Sequence, residues 1–79
     1  MIELKLTPIR QNMTELLIGH RLVLFSYETP VAYLDVPTNI FYVTDAYYSV
    51  TTSRHINEWV GDNRRVVTNQ SQIQSSVKV

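Results

Sequence analysis

The amino-acid sequence predicts an α+β fold, in which an antiparallel sheet of four or five strands packs one face against a short helix at residues 53–60. Segments of period two, or segments rich in β-branched and aromatic residues, fill most of the first fifty positions. A clear helical pattern follows them, with Ile56, Trp59 and Val60 at spacings of three and four residues. A chain of 79 residues has room for one domain with one core.

The first predicted strand covers residues 1–6, where apolar and polar side chains alternate. Proline has no N–H group to give to a ladder, so we expect this strand to end at Thr7 and Pro8. One face of the strand is expected to be half-buried, and it carries Ile2, Leu4 and Leu6.

A hairpin is predicted next. Residues 13–18 fit either a strand or a short helix, and a second apolar run follows at residues 22–27. Gly19 lies between the two runs and favours a tight turn, because glycine adopts positive φ without strain. Residues 22–25 are apolar on both faces, which predicts a central strand covered on both sides.

The later strands are predicted from β-branched and aromatic residues. A turn at residues 36–39 separates two of them, and the second is expected to pause at Asp45 and continue through Val50. The predicted segments are residues 31–35, residues 40–44 and an edge strand at Val66 and Val67.

The predicted helix has recognisable ends. The Thr52 hydroxyl can accept a hydrogen bond from the first free backbone N–H groups, and Gly61 suits a helix C-terminus. An isolated helix of two turns does not persist in water, so this one depends on Ile56 and Trp59 docking on the sheet.

The C-terminal residues 69–79 predict either a short second helix or a flexible tail. Asn69 and Gln72 have the spacing of a capping box, with Asn69 as N-cap and Gln72 reaching back to it. Ile73 and Val77 would be the apolar contacts of such a helix. Disorder also concentrates at chain ends that are rich in serine and glutamine.

Composition argues against several kinds of site. The chain has no cysteine, which removes thiolate metal ligands and cysteine nucleophiles. The two histidines do not have the spacing of a zinc site. Seven basic residues balance seven acidic ones, whereas nucleic-acid-binding proteins usually carry a basic excess. We therefore expect neither a metal nor a cofactor.

Two observations bear on location. No apolar run approaches the roughly 20 residues that span a bilayer. The N-terminus also lacks the basic and apolar stretches of a secretory signal. We expect a cytoplasmic protein that makes no membrane contact.

Two segments carry a recognisable string. Residues 25–32 read Phe-Ser-Tyr-Glu-Thr-Pro-Val-Ala, and residues 51–59 read Thr-Thr-Ser-Arg-His-Ile-Asn-Glu-Trp. Together they resemble a small domain of unknown function found in tailed-bacteriophage proteins. The resemblance covers about half of the chain, from residue 22 to residue 59. It implies a phage origin and a location in the host cytoplasm, and it implies no activity.

His55 is the first candidate for chemistry. With one of the hydroxyls at residues 51–53 it could form a base and nucleophile pair. Such a pair lacks a third, orienting group, since Glu58 is equally suited to a surface contact. A triad that uses His20 is equally unsupported. We favour a structural role, in which His55 borders the docked face and bonds a backbone carbonyl of the sheet.

The segment at residues 26–30 is the second candidate. Tyr27 and Thr29 offer hydroxyls beside the helix N-terminus, which is a natural place for an anion. Ordinary turn chemistry before Pro30 explains the same residues without a ligand, and we prefer that explanation.

Tyrosine and arginine side chains form the third candidate. Adjacent strand residues point to opposite faces, so one of Tyr47 and Tyr48 is expected to lie outside the core. Exposed tyrosines can anchor a protein partner, or stack on bases beside Arg54, Arg64 and Arg65. In the simplest interpretation the tyrosines line the core and its rim, and the arginines lie in solvent.

These observations favour a non-enzymatic phage accessory protein that binds a protein partner. The partner would be a host protein, a phage protein or a second copy of the chain paired along an open sheet edge. A small nucleic-acid-binding protein that uses exposed tyrosines and arginines is the alternative. An enzyme centred on His55 and Ser53 is the least favoured hypothesis.

Overall fold

Six strands form one mixed sheet in the computed structural model, which describes residues 4–78. The spatial order of the strands follows the chain from β1 to β6, and only the β5–β6 pair is parallel. The predicted α+β class is confirmed, whereas the predicted sheet of four or five antiparallel strands is wrong. In chain order the elements are β1 (Leu4–Arg10), β2 (Met13–Ile18), β3 (Arg21–Ser26), β4 (Thr29–Asp35), β5 (Ile40–Thr44), α1 (Val50–Val60), β6 (Arg65–Thr68) and α2 (Gln70–Ser75).

Tight turns join the first four strands. The predicted hairpin is confirmed, because Gly19 has a φ of 60° in the turn between β2 and β3. Asn12 and Tyr27 also have positive φ, in the turns before β2 and after β3. Asparagine tolerates this region, but it is unusual for a side chain as large as tyrosine.

The last strand arrives by a crossover. Parallel neighbours cannot be joined by a hairpin, and α1 carries the chain from the end of β5 back to the start of β6. The predicted edge strand at Val66 and Val67 is therefore confirmed. The predicted extension of β5 through Val50 is wrong, because residues 46–49 have no regular structure and Val50 begins α1.

The sheet has a core on each face, and one helix covers each core. Val23 and Leu24 are adjacent in β3 and both fully buried, which confirms a central strand covered on both sides. Ile56 and Val60 of α1 pack on one face with Met13, Leu24, Val31, Ala32, Phe41 and Val43. Ile73 of α2 packs on the other face with Ile18, Val23 and Tyr33.

The docking of α1 agrees with the prediction. Trp59 is half-buried, and its ring meets Phe41 edge-on, with centroids 5.3 Å apart and an interplanar angle of 81°. Its indole N–H donates to the Glu15 carboxylate, with Nε1 2.6 Å from Oε1. The helix is thereby fixed to the sheet through both an apolar and a polar contact.

The N-cap of α1 is Ser49 and not Thr52 as predicted. The Ser49 hydroxyl accepts from the Thr52 N–H at 3.1 Å, and the helix begins at Val50. Ser49 has the extended backbone that an N-cap needs, whereas Thr52 lies within the first turn and its side chain is buried. Where several hydroxyl residues are neighbours in the chain, the tertiary structure determines which of them becomes the N-cap.

The second helix, α2, is confirmed. The Asn69 side chain accepts from the Gln72 N–H at 2.8 Å, as predicted. The Gln72 side chain does not reach back to Asn69 but donates to the Tyr33 hydroxyl on the sheet. Ile73 is fully buried and Val77 packs beside it.

The first strand differs most from its prediction. It continues through Thr7 and Pro8 to Arg10, and all seven residues are exposed, including Leu4 and Leu6. Leu4 and Leu6 share a face, but that face is not half-buried. Ile2 lies outside the described residues.

Candidate functional site

A buried polar cluster joins the end of β3 to the first turns of α1. The Ser26 hydroxyl lies 2.8 Å from His55 Nδ1 and 3.0 Å from the Thr52 hydroxyl. The three side chains are 2–6% exposed. The predicted position of His55 at the docked face is confirmed, but its described partner is a serine hydroxyl instead of a backbone carbonyl.

Ser26 and His55 are close enough to act as a nucleophile–base pair, but a substrate could not reach the Ser26 hydroxyl. A nucleophile has to reach its substrate, and Ser26 is 2% exposed. Within residues 4–78, no carboxylate bonds to His55 to orient the ring. Thr52 continues the chain of contacts to Ser49, whose hydroxyl lies 3.3 Å away. What the arrangement does chemically is to satisfy polar groups where α1 meets the sheet.

This cluster also brings together two segments that are far apart in the chain, residues 25–32 and residues 51–59. Ser26 belongs to the string at residues 25–32, and Thr52 and His55 belong to the string at residues 51–59. Sequence reasoning identified His55 but missed Ser26 as its partner. The co-occurrence of the two strings was the signal that could have linked them.

The predicted tyrosines gather at one end of the sheet. Tyr47 and Tyr48 are both exposed, because the segment that carries them is a loop and not a strand. Tyr27 is exposed in the turn after β3, and its ring centroid lies 6.1 Å from that of His55. Thr29 is half-buried at the start of β4. Tyr27 and Thr29 line an open cleft of about 560 Å³ together with Asn12, Thr14 and Glu28.

The predicted arginines are dispersed. Arg54 is exposed on α1, one turn after its first residue. Arg64 and Arg65 lie where β6 begins, whereas Tyr47 follows the end of β5, so the length of a strand, about 13–17 Å, separates them. Arg65 donates to the Asn57 side chain at 2.8 Å. The structure therefore does not bring Arg64 and Arg65 to the tyrosines.

A second cleft, of about 310 Å³, lies between α2 and the sheet. The Tyr33 and Tyr42 rings stack there with centroids 4.8 Å apart. Arg21 closes one side of it by donating to the Ser76 carbonyl at 2.9 Å. These contacts hold α2 on the sheet. The cleft is lined by Arg21, Tyr33, Asp35, Tyr42, Gln72, Ser75 and Ser76.

Strand β1 is the most exposed apolar element in the described part of the chain. It is seven residues long and forms one edge of the sheet, with β2 as its neighbour. Leu4 is 60% and Leu6 67% exposed, and Ile9 is exposed as well. An edge strand of this kind offers unpaired N–H and C=O groups beside apolar side chains, which is a template for another chain. Sequence reasoning expected these leucines on one face of a half-buried strand and so missed the surface.

Two absences can be stated for residues 4–78. No three histidine, cysteine or acidic side chains come together there in a way that could hold a metal ion. Neither helix of that segment has the length and apolar character needed to cross a membrane.

A protein-family model matches most of the chain. The model described as "family of unknown function (DUF8033)" matches residues 4–75. No curated protein and no solved structure matches the chain.

Proposed function

Because the chain belongs to the DUF8033 family of unknown function, we propose a function from its geometry: it is a non-enzymatic interaction module that binds a partner protein along strand β1. The observation that carries this proposal is the exposure of all seven residues of an edge strand. Proteins that bind by strand addition use such an edge, where main-chain bonds give affinity and alternate side chains give specificity.

The exposed leucines support this proposal. A sheet residue with no role outside the monomer tends to be polar when neither face is covered, yet Leu4 and Leu6 project from β1 on one face. The residues of β2 directly opposite them, Leu16 and Ile18, belong to the core on the α2 side. A partner strand beside β1 would extend that apolar surface without rearranging the monomer.

The same geometry weighs against the alternatives. A nucleic-acid site needs cations beside its stacking rings, and two of the three predicted arginines, Arg64 and Arg65, lie a strand length from Tyr47. An enzyme would need an accessible nucleophile, and the hydroxyl beside His55 belongs to the buried Ser26. The proposal of an interaction module requires neither kind of site.

The biological setting belongs to the proposal as well. The strings at residues 25–32 and 51–59 resemble a domain found in tailed-bacteriophage proteins, and they meet in one buried cluster. We propose that the protein is a phage accessory protein in the cytoplasm of an infected bacterium, with a host protein, a phage protein or a second copy of the chain as its partner.

The test compares two matched surface variants. Leu6 on β1 is 67% exposed, and Val67 on the opposite edge strand β6 is 63% exposed. Immobilised wild-type, Leu6→Lys and Val67→Lys chains are incubated with lysate of infected cells, and each captured protein is identified, purified and titrated against all three chains. We expect Leu6→Lys to weaken binding at least tenfold, with Val67→Lys unchanged. Equal binding by the two variants, or no binding by the wild type, would refute the proposal.

A further inference from the structure

We propose that the partner of β1 is a second copy of this chain, and that the two β1 strands pair antiparallel about a twofold axis at Leu6. This inference rests on the proposed function, since it names the occupant of the same strand. It would join the two sheets into one continuous sheet with an isologous interface.

The outward-facing backbone groups follow from the register. The Tyr27 N–H donates to the Asn12 carbonyl at 2.7 Å, so the backbone carbonyl of Asn12, just before β2, points towards the β3 side. Backbone direction alternates along a strand, and therefore the odd-numbered residues of β2 direct theirs towards β1. Two of these residues, Glu15 and Leu17, pair with Thr7 and Lys5 of β1, whose backbone groups therefore face β2. The residues of β1 whose backbone groups face outward are then Leu4, Leu6 and Pro8.

Pro8 occupies an outward-facing position of the edge strand, where it removes no hydrogen bond between β1 and β2. It has no N–H to donate, but at an outward-facing position none is needed by β2. Its carbonyl can still accept. The open edge therefore offers donors at Leu4 and Leu6 and acceptors at all three outward-facing residues, which limits the registers a second strand can adopt.

A register centred on Leu6 uses every outward-facing donor, and in each copy it leaves only the Leu4 carbonyl without a partner. Leu6 exchanges both of its hydrogen bonds with its own counterpart, and the Leu4 N–H donates to the carbonyl of the partner's Pro8. Because Pro8 has no N–H, one hydrogen bond, from Pro8 to the partner's Leu4 carbonyl, is absent at each end of the pair. Lys5 then lies opposite the partner's Thr7.

Charge favours this register over its neighbour. A register centred on Lys5 would place two like charges directly opposite each other, which destabilises an antiparallel pair. Side chains support the choice too, because a twofold axis perpendicular to the sheet keeps each face continuous. Leu4, Leu6 and Pro8 of both copies would form one apolar row beside Leu16 and Ile18.

Disulfide mapping tests the occupant and the register together. The chain has no cysteine, so a single substitution introduces its only thiol. In the proposed register the two Leu6 Cα atoms lie about 5.5 Å apart, which a disulfide can bridge. The two Leu4 Cα atoms lie roughly 13 Å apart and cannot be bridged, which makes Leu4→Cys the matched control.

We expect the wild-type chain to sediment at twice the 9.2 kDa of one copy at micromolar concentration. Leu6→Cys should oxidise to a covalent dimer at least tenfold faster than Leu4→Cys, with both variants folded by circular dichroism. A dimer in which Leu4→Cys oxidises as fast as Leu6→Cys overturns the register and hence the proposal. A strictly monomeric chain whose partner binding still depends on Leu6 overturns self-pairing while the proposed function stands.

Discussion

Replacement of Ser26 with alanine tests whether the buried polar cluster holds α1 on the sheet. Ser26 is the central member of the cluster, because its hydroxyl contacts both His55 and Thr52. Alanine fits the space but bonds to neither. Thr52 keeps its contact with Ser49, whereas His55 Nδ1 loses its described partner.

The expected loss follows from that single unsatisfied group. A buried polar atom left without a partner costs about 1–3 kcal/mol. A chain of 79 residues has a total stability of roughly 4–12 kcal/mol, so the variant should fold with a clearly reduced margin. With a urea m-value of about 1 kcal/mol/M for a protein of this size, the unfolding midpoint should fall by roughly 1–3 M.

A double-mutant cycle separates this pair from a general loss of packing. Ser26→Ala, His55→Phe and the double variant are unfolded in urea, and the coupling free energy should be at least about 1 kcal/mol. Ser53→Ala is the control, since Ser53 is a half-buried serine on the same helix and should change stability by less than about 0.5 kcal/mol. Additive effects of Ser26→Ala and His55→Phe, or a Ser26→Ala loss no larger than that of the control, would refute the reasoning.

Three further predictions follow from individual contacts. Ile73→Ala removes the buried anchor of α2 and should lower the free energy of unfolding by about 2–4 kcal/mol in urea titrations; a loss below about 1 kcal/mol would show that α2 contributes little. Glu15→Leu removes the acceptor of the Trp59 indole N–H and should shift the tryptophan emission maximum measurably, whereas an unchanged spectrum would contradict the contact. Arg10→Ala breaks the ion pair with Glu58, but both side chains are more than a third exposed, so stability should change by less than about 0.5 kcal/mol at 150 mM salt.

Local chemistry explains which elements could be predicted. Gly19 supplies the positive φ of its hairpin, and the Asn69 side chain caps α2 by accepting from the Gln72 N–H three residues later, so both features depend on a few nearby residues. The central strand could also be predicted, because Val23 and Leu24 are consecutive apolar residues that point to opposite faces, and both faces must therefore be buried. Such signals do not require knowledge of where the rest of the chain lies.

Features that depend on distant partners could not be predicted. The choice of Ser49 over Thr52 as N-cap follows from Thr52 turning towards Ser26, 26 residues earlier in the chain. The parallel pairing of β6 likewise depends on where α1 returns the chain. His55 was recognised as a residue of interest, but its partner lies 29 residues away and no local pattern connects the two.

Strand β1 shows how an accurate pattern can give a wrong environment. The alternation of Leu4 and Leu6 with polar residues correctly predicted a strand with a shared apolar face. The face that carries Leu4 and Leu6 is on the α2 side of the sheet, but α2 packs mainly on β4 and β5, away from the β1 edge. A period of two identifies which residues lie together and does not identify what covers them.

The composition of the β1 edge argues for limited pairing over open-ended association. A long edge with a donor at every outward-facing residue would accept further strands in many registers, and Pro8 and Lys5 restrict that choice. An isologous contact also uses up β1 in both copies, so a third chain would have to join at β6. That edge is four residues long, and in β6 the exposed Val66 and Val67 point to opposite faces, so they form no apolar row like that of Leu4 and Leu6. Self-pairing through β1 is therefore expected to stop at two copies.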